Sequence, residues 1–400
     1  MRPATIGLLS TYPPTQCGLA TFSAALTDEL RRSSTAVGVV RVVESPESHP
    51  GPEVVGHLVN GSRSSADSAV RALNRHDAVV VQHEYGIYGG QDGQDVLDVV
   101  EGFTVPSIVV LHTVLRHPTP LQRRILARLA YRADMAVTMT ETARQRLVDR
   151  YGADPSRVVV IPHGAFVHRT GRRHGRPTRY RGGNRPLVLT WGLLGPGKGV
   201  EWAIDAMPGL RDLDPHYLVV GQTHPKVVER EGEAYREALA RRVTAQGVGD
   251  LVELDDRYLS VTELSELVQR ADVVLLPYDS VEQVTSGVLI EAVAAGRPVV
   301  STAFPHAVEL LAGGPGLVVP QRDPHALQVA LRRVLSEPGL ADRLAATAAR
   351  TAPDLLWSAV AARYARLADA LAASTLVTGP LARAGVVAAA GVPLAVTPVA

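Results

Sequence analysis

Residues 277–302 read PYDSVEQVTSGVLIEAVAAGRPVVST, and the alternation of elements inside this stretch decides the fold class. The run leading into it, Ala271–Pro277 (ADVVLLP), is short, aliphatic and β-branched, the pattern of a parallel strand buried on both faces. A polar loop follows. Ser286-Gly287 then opens an Ala-rich helical segment that Gly296 and Pro298 end, and Pro298–Thr302 reads as the next strand. A helix starting just past the carboxyl end of a strand turns its free N–H groups and positive dipole end toward the edge where open α/β sheets bind ligands. Ser286 or Thr285 can cap that helix, and Gly287 lets a ligand approach the backbone closely. Glu291, one turn inside an otherwise apolar helix, sets a carboxylate behind a phosphate-binding start.

The same strand–loop–helix unit recurs upstream. Pro186–Leu194 (PLVLTWGLL) reads as a strand, Gly195–Gly199 (GPGKG) as a loop and Val200–Leu210 as a helix. Strand–helix alternation continues through His216–Gly221, Val252–Asp255 and a helix at Thr262–Arg270. The loop is not a Walker loop, because Gly199 follows Lys198 where the magnesium-binding hydroxyl should stand. Thr5–Tyr12 begins an earlier unit, with a turn-rich loop PPTQCG and a helix Leu19–Arg32 that is apolar at Leu19, Phe22, Leu26 and Leu30. That loop carries a single glycine, Gly18, so by itself it is as compatible with an ordinary βα turn as with a nucleotide site.

Strands at Val37–Val43 and Val54–Asn60 and a helix at Ser64–Arg75 extend this first half. Three further strands, Asp77–Glu84, Pro106–Thr113 and Arg157–Gly164, place His83, His112 and His163 at their carboxyl ends. One histidine there would carry no weight, but three point to a site at that edge. A zinc centre is the sharper alternative, and no zinc-ligand spacing supports it. Asp212-Leu213-Asp214 has the form of a metal-holding pair but lies between a helix end and a strand start, at the wrong end of the sheet. No metal site is expected.

Composition narrows the class. Four hundred residues suggest two domains, and 41 basic against 40 acidic residues exclude a general nucleic-acid binder. One cysteine, Cys17, excludes a disulfide framework and a thiolate-rich metal site. The opening residues MRPATIGLLSTYPP hold too short an apolar run for a signal peptide, and no apolar run approaches a membrane span. A cytoplasmic location is the expectation. Residues 168–186 carry seven arginines and four glycines with one aromatic residue, and read as a solvated hinge in preference to a nucleic-acid arm.

Glu291-Ala292-Val293-Ala294-Ala295-Gly296-Arg297-Pro298-Val299-Val300 resembles the donor motif of the retaining glycosyltransferases of family 4, which have the GT-B fold. In that family a Glu, seven residues and a second Glu stand in this strand–loop–helix setting. The first Glu falls on Gln283, with Glu282 beside it, so the chain departs from the pattern there. WGLLGPGKGVEWAIDAM resembles the family's diphosphate grip; Lys198 matches its lysine, and Leu193 stands where its arginine belongs. STYPPTQCGLATFSAAL resembles the loop of the first domain that lies against the donor diphosphate and the acceptor, with Gly18 as the close-approach residue.

The resemblance, over roughly residues 5–370, implies an α/β protein of two Rossmann-like domains facing across a cleft. The expected division is 1–167 on the acceptor side, a basic linker 168–185, a donor-nucleotide domain 186–352, a helix 353–373 crossing back to the first domain, and a disordered tail 374–400. The implied reaction moves a sugar from a nucleoside diphosphate sugar to an acceptor hydroxyl with retention of configuration. No cofactor is implied beyond that donor substrate. In this reading Glu291 holds the ribose hydroxyls, Lys198, Ser286 and Gly287 take the diphosphate, and His112 and Gln283 position the sugar. Glu84 and His163 lie on the acceptor side. Two other classes remain open: a sugar-nucleotide epimerase or hydrolase of the same fold, and a catalytically silent binding subunit.

The resemblance implies a carbohydrate or a lipid-linked acceptor. Leu121–Arg132 (LQRRILARLAYR) bears on this choice, since Leu121, Ile125, Leu126 and Leu129 line one side and Arg123, Arg124, Arg128 and Arg132 the rest. Such a helix can lie on the inner face of an anionic membrane, or its apolar side can face the core. The core reading is favoured.

Overall fold

Thirteen strands, all in parallel pairs, form two separate sheets in the computed structural model, which describes residues 3–46, 51–166 and 185–377. The first sheet holds β1 (Ile6–Ser10), β2 (Val37–Val43), β3 (Val54–Val59), β4 (Ala78–His83), β5 (Ser107–Leu111), β6 (Met135–Thr138) and β7 (Val158–Val160). Its order is β3-β2-β1-β4-β5-β6-β7. Runs such as Val79-Val80-Val81 are wholly buried, as β-branched residues in a sheet covered on both faces should be. Helices α1 (Gly18–Arg32), α2 (Arg63–Leu73), α3 (Val96–Glu101), α4 (Pro120–Arg132) and α5 (Glu141–Tyr151) make the crossovers.

The second sheet holds β8 (Leu187–Trp191), β9 (His216–Val220), β10 (Val252–Asp255), β11 (Val273–Leu276), β12 (Val299–Thr302) and β13 (Gly316–Val319), in the order β10-β9-β8-β11-β12-β13. Its helices are α6 (Val200–Ala206), α7 (Pro225–Glu231), α8 (Ala234–Ala245), α9 (Val261–Arg270), α10 (Gly287–Ala294), α11 (Pro305–Leu311), α12 (Pro324–Ser336) and α13 (Leu340–Leu355). Both sheets are Rossmann-like, and the strand order reverses once in each, between β1 and β4 and between β8 and β11. Doubly wound sheets bind ligands at such a switch point, beyond the carboxyl ends of the two diverging strands.

The chain divides into two compact units, one of residues up to Gly164 together with those from Trp357 on, the other Ala165–Leu356. The final helix, α14 (Trp357–Val377), therefore packs in the first unit, where Ala4 N–H donates to Asp369 Oδ1 at 2.7 Å. Trp357, Val360, Tyr364, Leu367 and Leu371 fall at three- and four-residue spacing and are all buried. Burying each of Val360, Leu367 and Leu371 contributes about 1.5–3 kcal/mol.

Here the structure departs from the sequence expectation of one helix across Asp354–Ala373. α13 ends at Leu355, Leu356 is extended, and a new helix begins at Trp357. The break is tertiary: Ala165 N–H donates to Leu355 O at 2.7 Å, and Ala165 bridges Leu356 in parallel. Residues 374–377, expected in the tail, are helical, and the rest of the tail lies outside the described residues. So does the expected linker apart from Arg185, whose guanidinium donates to Asp214 O at 3.0 Å and Asp250 O at 2.9 Å.

Candidate active site

In the second unit, the loops after β8 and β11 emerge side by side at the switch point. The cap of α10 is Ser286 and not Thr285: Ser286 Oγ accepts the Leu289 N–H at 3.2 Å. Gly296, just past the last turn, takes φ +66°, the left-handed conformation that closes a helix. The loop after β8 lies against the start of α10, since a Cβ on Gly192 would stand 3.6 Å from Val288 Cγ2. It is also zipped to the loop after β11, where Asp279 N–H donates to Gly197 O at 3.1 Å.

Gly199 explains itself in this setting. It has φ +63°, and a Cβ there would fall 1.9 Å from Pro277 O, so no side chain fits. The residue after the lysine is glycine because two loops meet there. Lys198 Nζ is held 4.3 Å from the centroid of the Tyr278 ring, a cation–π contact to a fully buried aromatic. Gln283 Nε2 donates to Thr285 O at 3.2 Å, which folds the polar loop onto the residue before the cap. Gln283, Gly287 and Glu291 are half-buried, while Ser286 is 3% exposed.

Sequence reasoning missed a residue at this site. His306, at the second position of α11 and 3% exposed, accepts the Ser286 backbone N–H on Nδ1 at 2.8 Å. Its only sequence signal is a place just past the end of β12, behind the helix-starting Pro305. The pairing spans 20 residues and leaves no local pattern.

In the first unit, Phe22 of α1 gathers the aromatic groups. Its ring meets His112 at 4.9 Å, His163 at 5.0 Å and Trp357 at 4.8 Å, each edge to face. His112 Nε2 donates to Gln82 Oε1 at 2.7 Å, which leaves Nδ1 of the neutral ring as an acceptor. Burial, and then the nearby imidazoles of His163 and His83, push the His112 pKa down to about 3. His163 Nδ1 donates to Gly164 O at 2.7 Å.

The third histidine does not join them. His83 is wholly buried, with its ring edge on to Tyr85 at 5.1 Å and stacked on Tyr88 at 6.5 Å. Burial pushes its pKa down to about 3. It is a core histidine, because it is the last residue inside β4, whereas His112 and His163 lie beyond the ends of β5 and β7. Glu84, next along, is half-buried; it accepts the Gly86 N–H at 2.7 Å and the Thr113 hydroxyl at 3.5 Å. Gly18 is the exposed first residue of α1, and a Cβ there would meet nothing within 4 Å. Cys17 caps this helix, its Sγ accepting the Ala20 N–H at 3.4 Å.

Two further sequence features are defined by their contacts. Asp212 pairs with Arg332 at 2.6 Å and Asp214 with Arg185 at 2.7 Å, so the two carboxylates diverge to separate arginines. Helix α4 turns Ile125, Leu126 and Leu129 into the core, and Arg128 pairs with Glu101 at 2.8 Å. That packing leaves the helix no broad apolar face for a bilayer. Among the described residues no helix is long and apolar enough to cross a membrane, and no group of three or more His, Cys, Asp or Glu could hold a metal ion.

Comparison with known proteins agrees with this geometry. Residues 185–337 match the family described as Glycosyl transferases group 1, and residues 18–169 match Glycosyltransferase Family 4. A D-inositol 3-phosphate glycosyltransferase of Geodermatophilus obscurus is 31% identical over 74% of this chain and 70% of its own length. An alpha-D-kanosaminyltransferase of Streptomyces kanamyceticus is 27% identical over 61% of this chain and 65% of its own. Among solved structures, Anabaena HepE in complex with UDP superposes with a TM-score of 0.72 at 16% identity, covering 91% of this chain and 99% of that one. WaaG, a glycosyltransferase involved in lipopolysaccharide biosynthesis, superposes with a TM-score of 0.60 at 18% identity, covering 94% and 100%. At these identities the two structures establish the fold.

Proposed function

Because the chain belongs to the family 4 glycosyltransferases with the GT-B fold, we propose that it transfers a sugar from a nucleoside diphosphate sugar to an acceptor hydroxyl, with retention of anomeric configuration. The observation that carries this reading is the start of α10. A capped helix N-terminus, a lysine held over Tyr278 and a carboxylate one turn inside stand together at the switch point of the second sheet.

The chemistry asks for charge stabilisation before anything else. As the bond from the anomeric carbon to the diphosphate oxygen breaks, negative charge grows on the leaving group. The α10 amides and Lys198 face that charge with dipoles and a cation already in place, so little reorganisation is needed. The bond from the acceptor oxygen to the anomeric carbon forms on the face the diphosphate leaves, and the acceptor proton passes to a diphosphate oxygen. Glu291 takes the ribose hydroxyls as a charged acceptor. Gln283 positions the sugar as a neutral donor. His112 contributes an acceptor at Nδ1, and Glu84 and His163 serve the acceptor hydroxyl's side.

The names of the relatives suggest a small polyhydroxyl acceptor, as for the D-inositol 3-phosphate glycosyltransferases. The inward-facing leucines of α4 support a water-soluble acceptor over a lipid-linked one. Calorimetric titration with nucleoside diphosphates, beginning with UDP because HepE was solved with it, tests the donor half. Transfer to inositol phosphates and amino sugars, with the product's anomeric configuration read by NMR, tests the rest. Donor hydrolysis without transfer would indicate a hydrolase, and tight binding without turnover a silent subunit. Inversion at the anomeric carbon would refute retention.

A further inference from the structure

We propose that His306 is a positioning residue of the phosphate-binding start of α10, fixing it to present two amides, those of Gly287 and Val288, to a single phosphate group. The inference rests on the functional reading above and deepens it. An α-helix leaves its first four N–H groups without partners inside the helix. For α10 these belong to Ser286, Gly287, Val288 and Leu289. The Leu289 N–H donates to Ser286 Oγ at 3.2 Å, and the Ser286 N–H donates to His306 Nδ1 at 2.8 Å. The described structure gives Gly287 and Val288 no hydrogen-bond partner, and Gly287 has no side chain to shield either amide. The accounting closes on two adjacent donors along the helix axis, which suits two oxygens of one phosphate.

His306 acts here through its chemical form. Nδ1 can accept only while it is unprotonated, so the neutral ring carries its single proton on Nε2. Ser286 and His306 are each 3% exposed, and water cannot replace the imidazole as acceptor without rearrangement. A buried donor left without an acceptor is strongly disfavoured, so losing the ring reorients the cap and moves the two amides that follow it. Phe304, two residues earlier in the chain, is fully buried with its ring 5.1 Å from that of Tyr278.

The test compares His306→Leu, which removes the acceptor, with His306→Asn, whose amide oxygen can take the place of Nδ1. For each, calorimetry gives the affinity for UDP, GDP and ADP, and for the corresponding nucleosides without phosphate. His306→Leu should weaken binding of the preferred diphosphate about tenfold while leaving the nucleoside unchanged, and His306→Asn should recover most of the loss. Diphosphate affinity equal to that of the parent in His306→Leu overturns the proposal. Equal losses in both variants, extending to the nucleoside, also overturn it, since that is the signature of a purely structural role. If His306→Leu does not fold, His306→Gln, which carries its oxygen one bond further out, serves the same comparison. A parent protein that binds none of the diphosphates refutes the functional reading itself, and this inference with it.

Discussion

Lys198 Nζ stands 4.3 Å from the centroid of the Tyr278 ring, and that ring is fully buried in the second unit. The contact ties a cation on the loop after β8 to the strand end of β11, so its position is set before any ligand arrives. Lys198→Ala should lower kcat by about 10²–10³-fold, the range for losing one preorganised charge-stabilising group. Tyr278→Phe keeps the ring and removes a buried hydroxyl that has no hydrogen-bond partner among the described residues, and should retain most activity. Tyr278→Leu should fall between the two. Steady-state kinetics of all three decide the matter, and full activity in Lys198→Ala removes the lysine from the site.

Glu291 tests the ribose role. Glu291→Ala should weaken nucleoside diphosphate binding by roughly tenfold to a hundredfold, since a hydrogen bond to a charged group contributes about 1.5–3 kcal/mol. The far-ultraviolet circular dichroism should not change, because the residue is half-buried and α10 is capped by Ser286. Unchanged calorimetric affinity for every nucleotide the parent binds would exclude Glu291.

Gln283 and Glu282 can be told apart. The Gln283 side chain is tied to the cap loop through Thr285 O at 3.2 Å, next to the helix start. Gln283→Ala should reduce turnover more than donor affinity, and Gln283→Glu should be tolerated. Glu282→Ala should be nearly silent. The reverse outcome, a damaging change at Glu282 and a silent one at Gln283, shifts the motif by one residue.

His83 predicts acid sensitivity of the fold. Its folded-state pKa, about 3, lies below the ordinary value near 6.5, so between these two pH values the unfolded chain binds the extra proton. Stability is therefore complete above about pH 6.5 and falls as pH drops toward 3, by about 1.4 kcal/mol per pH unit for one such histidine. His112, depressed to about 3 as well, acts in the same direction. Urea midpoints at pH 7.5, 5.5 and 4.5 should fall steadily in the parent and less steeply in His83→Phe. An identical pH dependence in the two proteins would contradict the burial of a neutral ring.

The amino-acid sequence by itself determined the two-fold repetition of strand–loop–helix units, because apolar runs bounded by turn residues need no distant partner to be read. It also determined the capped start of α10, set by neighbours within a few residues. Tertiary structure decided what depends on contacts far apart in the chain. Where a strand-end histidine packs turned on one residue of register: His83 closes β4 inside the tyrosines, while His112 steps past β5 onto Phe22. The break at Leu356 arises from Ala165, and the order at the α10 cap from His306, 20 residues downstream of Ser286. Local propensity carries no information about such pairings, since each exists only once the sheets have brought separate loops to a common edge.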